Sequence, residues 1–379
     1  MQTAPSGERV DAQALKDNFA QVAQHGDAVA LFFYSDLFLR NPGLRDMFPI
    51  GMNHQRDRLL GALGRIVSQV DNLPELVPFV RQLGADHRKF GVEALHYPEV
   101  GQSLITTLRY FSGAAWTETL AKDWADAYDV VAKTMIDAAE EDAAQRPAWW
   151  NAQIVAHERR RFDLAVMRVV TDRPLPFLPG QAVALEVASR PRVWRFYSMA
   201  NAPRPDNTID FHVRLVDGGP VSPVLVRSVA AGDQLRLGPP VGTMTFDDRS
   251  GRDVLLIGGS TGVAPLKAIL ERIAQSPAPP RVHLFFGART MDGLYDLDDL
   301  AKRAVEYPWL TVVPAVSDES AEGGVEQGTL ADVIARHGIW RDHDAYVCGS
   351  PTMVDATFDR LVRLGLGRDR IRFDKYADA

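Results

Sequence analysis

Cysteine is nearly absent: the 379-residue chain carries one, Cys348. That excludes an internal disulfide and also a cysteine-ligated iron–sulfur cluster, which needs about four thiolates. No apolar run approaches the roughly 20 residues of a membrane helix. The opening Met-Gln-Thr-Ala-Pro-Ser-Gly-Glu-Arg lacks the apolar core of a secretory leader. Basic residues do not dominate either, since 42 Lys+Arg against 49 Asp+Glu leave a formal net charge of −7. A binder of phosphate backbones would need a basic face instead. The expectation is a monomeric protein of the reducing cytoplasm whose partners are small molecules, not nucleic acid or membrane.

What is present is ordinary globular material, 46% hydrophobic and 24% charged, long enough for two or three domains. Residues 10–145 read as helices, with apolar positions recurring at three and four. Arg146-Pro147-Ala148-Trp149-Trp150 interrupts this as a linker. From Ile154 to Phe246 short alternating strands such as Gln181–Val187 are separated by Pro/Gly turns, as in a small antiparallel barrel. From Asp253 onward strands alternate with helices, the pattern of a doubly wound α/β sheet. The expected domains are 1–147 all-α, 148–248 β-barrel and 249–379 α/β.

Arg195-Phe196-Tyr197-Ser198 matches a flavin-binding signature, Arg-x-Tyr-Ser/Thr. Arginine meets phosphate with forked donors, an aromatic ring can lie along a flat isoalloxazine, and a hydroxyl can reach its nitrogen edge. Gly180-Gln181 precedes it in a Pro-Gly-Gln turn. Gly218-Gly219-Pro220-Val221-Ser222, Gly258-Gly259-Ser260-Thr261-Gly262 and Cys348-Gly349 follow. In this order the set resembles the ferredoxin–NADP reductase superfamily over roughly residues 150–379. The resemblance implies FAD held by Gln181, Arg195, Tyr197, Ser198, Gly219, Val221 and Ser222. It implies NADH or NADPH at Gly259, Thr261, Gly262, Cys348 and Gly349, with Tyr376 covering the flavin face. Arg289 could meet an adenosine phosphate or ribose, which does not separate NADH from NADPH.

The helical part supplies the other half. Phe33-Tyr34-x-x-Leu37-Phe38, then Pro42, Leu44 and Phe48, resembles the second and third helices of bacterial globins, and Gln55–Leu59 resembles the start of the distal helix. A further helix opening at Leu73-Pro74 carries Leu76, Val80, Leu83 and His87 on one face, with His87 in place for a haem iron ligand. The rival ligand His96 lies in a Leu-His-Tyr-Pro stretch read as a loop. Joined to the reductase, the chain resembles the flavohaemoglobins over nearly its whole length.

That resemblance implies haem b held by His87, with Tyr34, Gln55 and Leu59 on the distal side. On the proximal side Tyr97 and a glutamate would orient the imidazole. Ungapped alignment places Ala139 at the glutamate position and Glu140 one residue on, about 100° around the helix. Glu140 is therefore the candidate only if the helix shifts locally. The implied activity is nitric oxide dioxygenation, with electrons passing from NAD(P)H to FAD to haem and nitric oxide and dioxygen becoming nitrate. Two other readings stay open: a variant fed by another donor such as a hydroxy acid, and a haem-based gas sensor.

Overall fold

The computed structural model describes residues 10–376. The chain divides between Ala148 and Trp149 into two compact units. The first is helical: α1 (Ala12–Ala23), α2 (Asp27–Arg40), α3 (Asn53–Ser68), α4 (Leu73–His87), α5 (His96–Ser112) and α6 (Glu118–Gln145). Local chemistry sets the ends. The Asp11 carboxylate accepts from Ala14 N at α1, and the Thr117 hydroxyl accepts from Leu120 N at α6. Gly84 allows α4 to meet α6, because a Cβ there would stand 2.3 Å from the Met135 carbonyl oxygen. The core separates into two clusters, one around Leu15, Phe33, Tyr34, Leu37 and Leu108, the other around Leu76, Val80, Tyr97 and Met135.

One reading is corrected here. His96 is not in a loop but is the first residue of α5, with Tyr97 in the same turn. Its Nδ1 accepts from Glu93 N at 2.9 Å, which ties the ring to the preceding turn. Pro98 is compatible with a helix's first turn, where its missing N–H costs nothing.

The second unit holds two sheets. The first contains β1 (Trp150–Arg161), β2 (Leu164–Thr171), β3 (Ala182–Val187), β4 (Arg195–Ser198), β5 (Thr208–Arg214) and β6 (Gln234–Val241), with α7 (Ser222–Arg227) between the last two. The order β4-β3-β6-β1-β2-β5 is antiparallel throughout, and a Met199–Phe211 bridge brings its ends together as a near-barrel. Ile209, Phe211 and Val213 of β5 enter the barrel core by the two-residue alternation of a strand. Gly180 turns at φ +100°, and a Cβ there would stand 2.0 Å from the Met244 carbonyl oxygen.

The α/β layer follows: β7 (Asp253–Gly259), α8 (Val263–Ala274), β8 (Val282–Ala288), α9 (Leu297–Glu306), β9 (Leu310–Val316), β10 (Glu326–Gln327), α10 (Leu330–His337), β11 (His343–Gly349), α11 (Pro351–Arg363) and β12 (Ile371–Lys375). Its order β10-β9-β8-β7-β11-β12 is parallel throughout. The order of strand addition reverses between β7 and β11, which run parallel, the switch point where doubly wound sheets receive ligands. Helices, then an antiparallel near-barrel, then a parallel α/β sheet is the expected fold class. The two-residue β10 carries no alternation to read in sequence.

Candidate functional site

Distal candidates come together in the helical unit. Tyr34 on α2 is buried, and its hydroxyl donates to the Gln55 main-chain carbonyl at 3.4 Å. Leu59 lies one turn beyond Gln55 on α3 and packs in the same cluster as Tyr34. Phe33 and Phe48 meet the Tyr34 ring edge-on, and Phe38 stacks on it. Burial pushes the phenol up to about 12, partly opposed by the contact with Gln55. At neutral pH it is a protonated donor.

His87 closes α4. Its Nδ1 is 2.6 Å from the Leu83 carbonyl oxygen, which can only accept, so the proton resides on Nδ1 and the lone pair on Nε2. Burial lowers its pKa and favours the neutral imidazole. Tyr97 is buried beside Leu76 and Val80, and its main-chain carbonyl accepts from the Tyr128 hydroxyl at 2.5 Å. Burial raises the Tyr97 phenol's pKa. Tyr128 therefore builds this wall too, although its sequence position alone did not mark it.

Glu140 is not brought to this group. It is exposed on α6, whereas Tyr128, Ala132 and Met135 form the stripe packed with Tyr97. Ala139 continues that stripe at three-and-four spacing, and one further residue turns Glu140 off it. No local shift of α6 compensates.

Haem fits these residues by two observations. The apolar core is split, with Tyr34 and Leu59 in one cluster and Leu83 and Tyr97 in the other. Among the described residues no group of three or more His, Cys, Asp or Glu could hold a metal ion. An iron bound through one neutral imidazole would therefore need the four nitrogens that a porphyrin supplies.

In the second unit β4 pairs with β3, setting Leu185 opposite Arg195, Val183 opposite Tyr197 and Ala182 opposite Ser198. Tyr197 packs against the barrel core, and burial raises its pKa. The adjacent Trp194 indole N–H is buried and has no partner among the described residues. Arg195 also donates to the Trp194 carbonyl at 3.0 Å. Gln181 spans its own turn, accepting from Leu178 N at 2.8 Å and donating to the Gly242 carbonyl at 3.3 Å. Ser222 opens α7 and accepts from Val216 N at 3.0 Å, while a Cβ on Gly219 would crowd the Val216 carbonyl at 3.0 Å. Val221 is fully buried. An arginine, an aromatic, a hydroxyl and a buried indole donor without a partner among the described residues fit a flavin nucleotide.

At the switch point the glycines have a packing reason of their own. A Cβ on Gly262 would stand 2.1 Å from the Cys348 carbonyl oxygen, and one on Gly259 would meet the Met353 side chain at 2.9 Å. Gly349 sits at φ +157° at the end of β11. Tyr376 donates its main-chain N–H to the Gly349 carbonyl at 2.9 Å, and its ring packs in the cluster that holds Cys348, with the hydroxyl near Thr261. Burial pushes both that phenol and that thiol up. Thr261, Cys348, Gly349 and Tyr376 thus form one group. Ser260 holds a left-handed φ of 53°, and its hydroxyl accepts from Arg214 on β5 at 3.2 Å. Arg214 was not singled out in sequence, and only its place on the outward face of β5 could have flagged it.

Comparison with known proteins agrees with this arrangement. Residues 31–135 match the Globin family, 150–246 the Oxidoreductase FAD-binding domain and 256–359 the Oxidoreductase NAD-binding domain. A flavohemoprotein of Bacillus subtilis (strain 168) is 26% identical over 390 residues, covering 96% of each chain. The ferredoxin–NAD(P)(+) reductase component of a Pseudomonas putida naphthalene 1,2-dioxygenase system is 34% identical over 230 residues, 60% of this chain and 67% of that one. A crystal structure of flavohemoglobin from Malassezia yamatoensis, with bound FAD and heme, shares the fold at a TM-score of 0.74 and 17% identity, covering 97% and 98% of the two chains. The protein is an oxidoreductase that joins a globin to an FAD- and NAD-binding reductase. It belongs to the flavohaemoglobin family, and its cofactors are haem, FAD and a nicotinamide dinucleotide. No helix among the described residues is long and apolar enough to cross a membrane.

Proposed function

We propose that this chain is an NAD(P)H-dependent nitric oxide dioxygenase that converts nitric oxide and dioxygen to nitrate. When bound, FAD divides the two electrons of a hydride into single electrons, and haem b provides the site where the gases react. Each nitrate formed takes up one electron, so one hydride serves two turnovers.

The chain's own residues carry the remaining work. His87 offers a neutral Nε2, because the Leu83 carbonyl keeps the proton on Nδ1. Tyr34 presents a protonated hydroxyl, with Gln55 beside it and Leu59 excluding water. A phenol donor strengthens the hold on a ligand that gathers negative charge. In the reductase unit Arg195 answers phosphate and Tyr197 and Ser198 line the flavin. Gly259, Thr261, Gly262, Cys348 and Gly349 receive the nicotinamide end, and Tyr376 must move aside from Thr261 and Cys348 to admit it. The proximal imidazole is oriented by the Leu83 carbonyl rather than by Glu140.

The observation that carries this reading is a buried, protonated Tyr34 hydroxyl in the same chain as a dinucleotide-binding switch point. Anaerobic addition of NADH, then NADPH, while flavin and haem absorbance are followed, tests it. Flavin bleaching followed by the ferrous haem spectrum is expected with at least one cofactor. Flavin that stays oxidised with both removes the pyridine nucleotide as donor.

A further inference from the structure

We propose that His283 and His343 bind a divalent transition-metal ion, of the class of zinc, copper or nickel, at the amino-terminal edge of the parallel sheet. The nucleotide site lies at the carboxyl ends of the same strands, so the two sites are separate. His283 is the second residue of β8 and His343 opens β11. β7 runs between them, with Leu255 opposite His283 and Asp253 opposite His343. Asp253 and Leu255 are two residues apart, so both histidines project from one face of the sheet. Their backbones are two strand spacings apart, roughly 9–10 Å, yet the ring centroids are 6.2 Å apart. The imidazoles thus lean together over β7.

Neither ring is satisfied. Nδ1 of His283 and Nδ1 of His343 are both buried and have no hydrogen-bond partner among the described residues. The large majority of buried polar atoms are paired, and an exception calls for a cause such as an ion. The neighbours that could have answered these nitrogens are committed elsewhere. Asp253 accepts from Arg281 through both carboxylate oxygens. Trp340 meets both imidazoles edge-on, at 5.1 and 5.0 Å, but donates its indole N–H to the Ile334 carbonyl. His337 bonds Glu326. Burial lowers the pKa of both His283 and His343, so each is neutral at pH 7 and keeps a lone pair for a metal.

Two imidazoles that share an ion, each nitrogen about 2.0–2.1 Å from it, stand with ring centres roughly 5–6.5 Å apart. The observed 6.2 Å falls in that range. Imidazole suits zinc, copper and nickel, whereas magnesium and calcium prefer oxygen donors. No group of three or more His, Cys, Asp or Glu among the described residues could hold a metal, so water completes the shell of this pair and the ion exchanges. Bound there, it ties β8 to β11 across β7.

Titration calorimetry of zinc chloride into the haem- and FAD-loaded chain, in a non-chelating buffer at neutral pH, tests this. The wild type is expected to take up one more zinc ion than either His283→Gln or His343→Gln. Each substitution should weaken that site by more than the roughly 10- to 100-fold lost when a supporting group around a metal is removed. Haem and flavin spectra should stay unchanged, because neither ring belongs to those sites, and excess magnesium should not displace the zinc. Should one variant fail to fold, the other decides, since each removes one of the two ligands. No saturable zinc binding, equal uptake by wild type and a folded variant, or displacement by magnesium would each overturn the proposal.

Discussion

The Tyr295 hydroxyl meets Nδ1 of His212 at 2.7 Å in a buried contact that joins the barrel to the α/β layer. It is one of three contacts made by successive outward residues of β5. Asp210 pairs with Arg204, which also holds Glu271 of α8, and Arg214 reaches Ser260. Beside Tyr295, Asp296 is buried against Lys267 at 2.6 Å. The strand whose alternate residues fill the barrel core thus uses its other face to fix the nucleotide layer.

Tyr295→Phe keeps the ring and deletes the hydroxyl, leaving a buried His212 nitrogen without its partner. A loss of about 1–3 kcal/mol is expected for the reductase unit. Thermal melts followed through flavin fluorescence would report it, and an unchanged melt would show that the contact contributes nothing.

Acid should loosen the same seam. Burial, reinforced by the nearby Lys267 charge, lowers the His212 pKa from 6.5 to about 3. The folded state therefore keeps His212 neutral, while the unfolded chain takes up a proton below pH 6.5. The contribution is complete above that pH and is lost as pH falls towards 3, with about 2 kcal/mol gone by pH 5. His283 and His343 have pKa values lowered in the same direction and add to the slope. His212→Gln should flatten part of the acid limb of a stability–pH curve, whereas a curve matching wild type would assign the slope to other groups.

Much of this was legible in sequence because the signals are local. The α4 face Leu76–Val80–Leu83–His87 is a helical stripe, and the glycine loops follow buried strands. The outward face of β5 was not legible, since Asp210, His212 and Arg214 read as solvated residues until the fold brings Arg204, Tyr295 and Ser260 to them. His96 was read as a loop residue because the Pro98 that follows it resembles a breaker, although proline is tolerated in a first turn. The sequence placed Glu140 one residue from the expected position, and only the burial pattern of α6 shows that it stays outside.

His87→Ala should abolish stable haem binding while FAD remains, because the two groups belong to separate units. Haem absorbance and flavin content, measured on the same sample, check this. A normal haem spectrum in His87→Ala together with its loss in His96→Ala would reassign the ligand.

Arg195→Ala should weaken FAD retention while the haem spectrum is unchanged, since a phosphate would lose its forked partner. Stoichiometric FAD after extended dialysis of the variant would remove Arg195 from the flavin site.

Tyr34→Phe tests the distal assignment with little change in packing. Loss of a charged hydrogen bond of about 1.5–3 kcal/mol should speed oxygen dissociation some 10- to 150-fold. Flavin reduction by NAD(P)H should not change. Stopped-flow off-rates equal to wild type would take Tyr34 out of the distal site.

The most direct test of the central claim is aerobic nitric oxide consumption by the haem- and FAD-loaded chain, followed with an electrode and with nitrate measured as product. The account predicts rapid consumption that requires NADH or NADPH, yields nitrate and falls most at low oxygen in Tyr34→Phe. A loaded wild-type protein whose flavin is reduced by NAD(P)H, yet which consumes no nitric oxide in air, would contradict it.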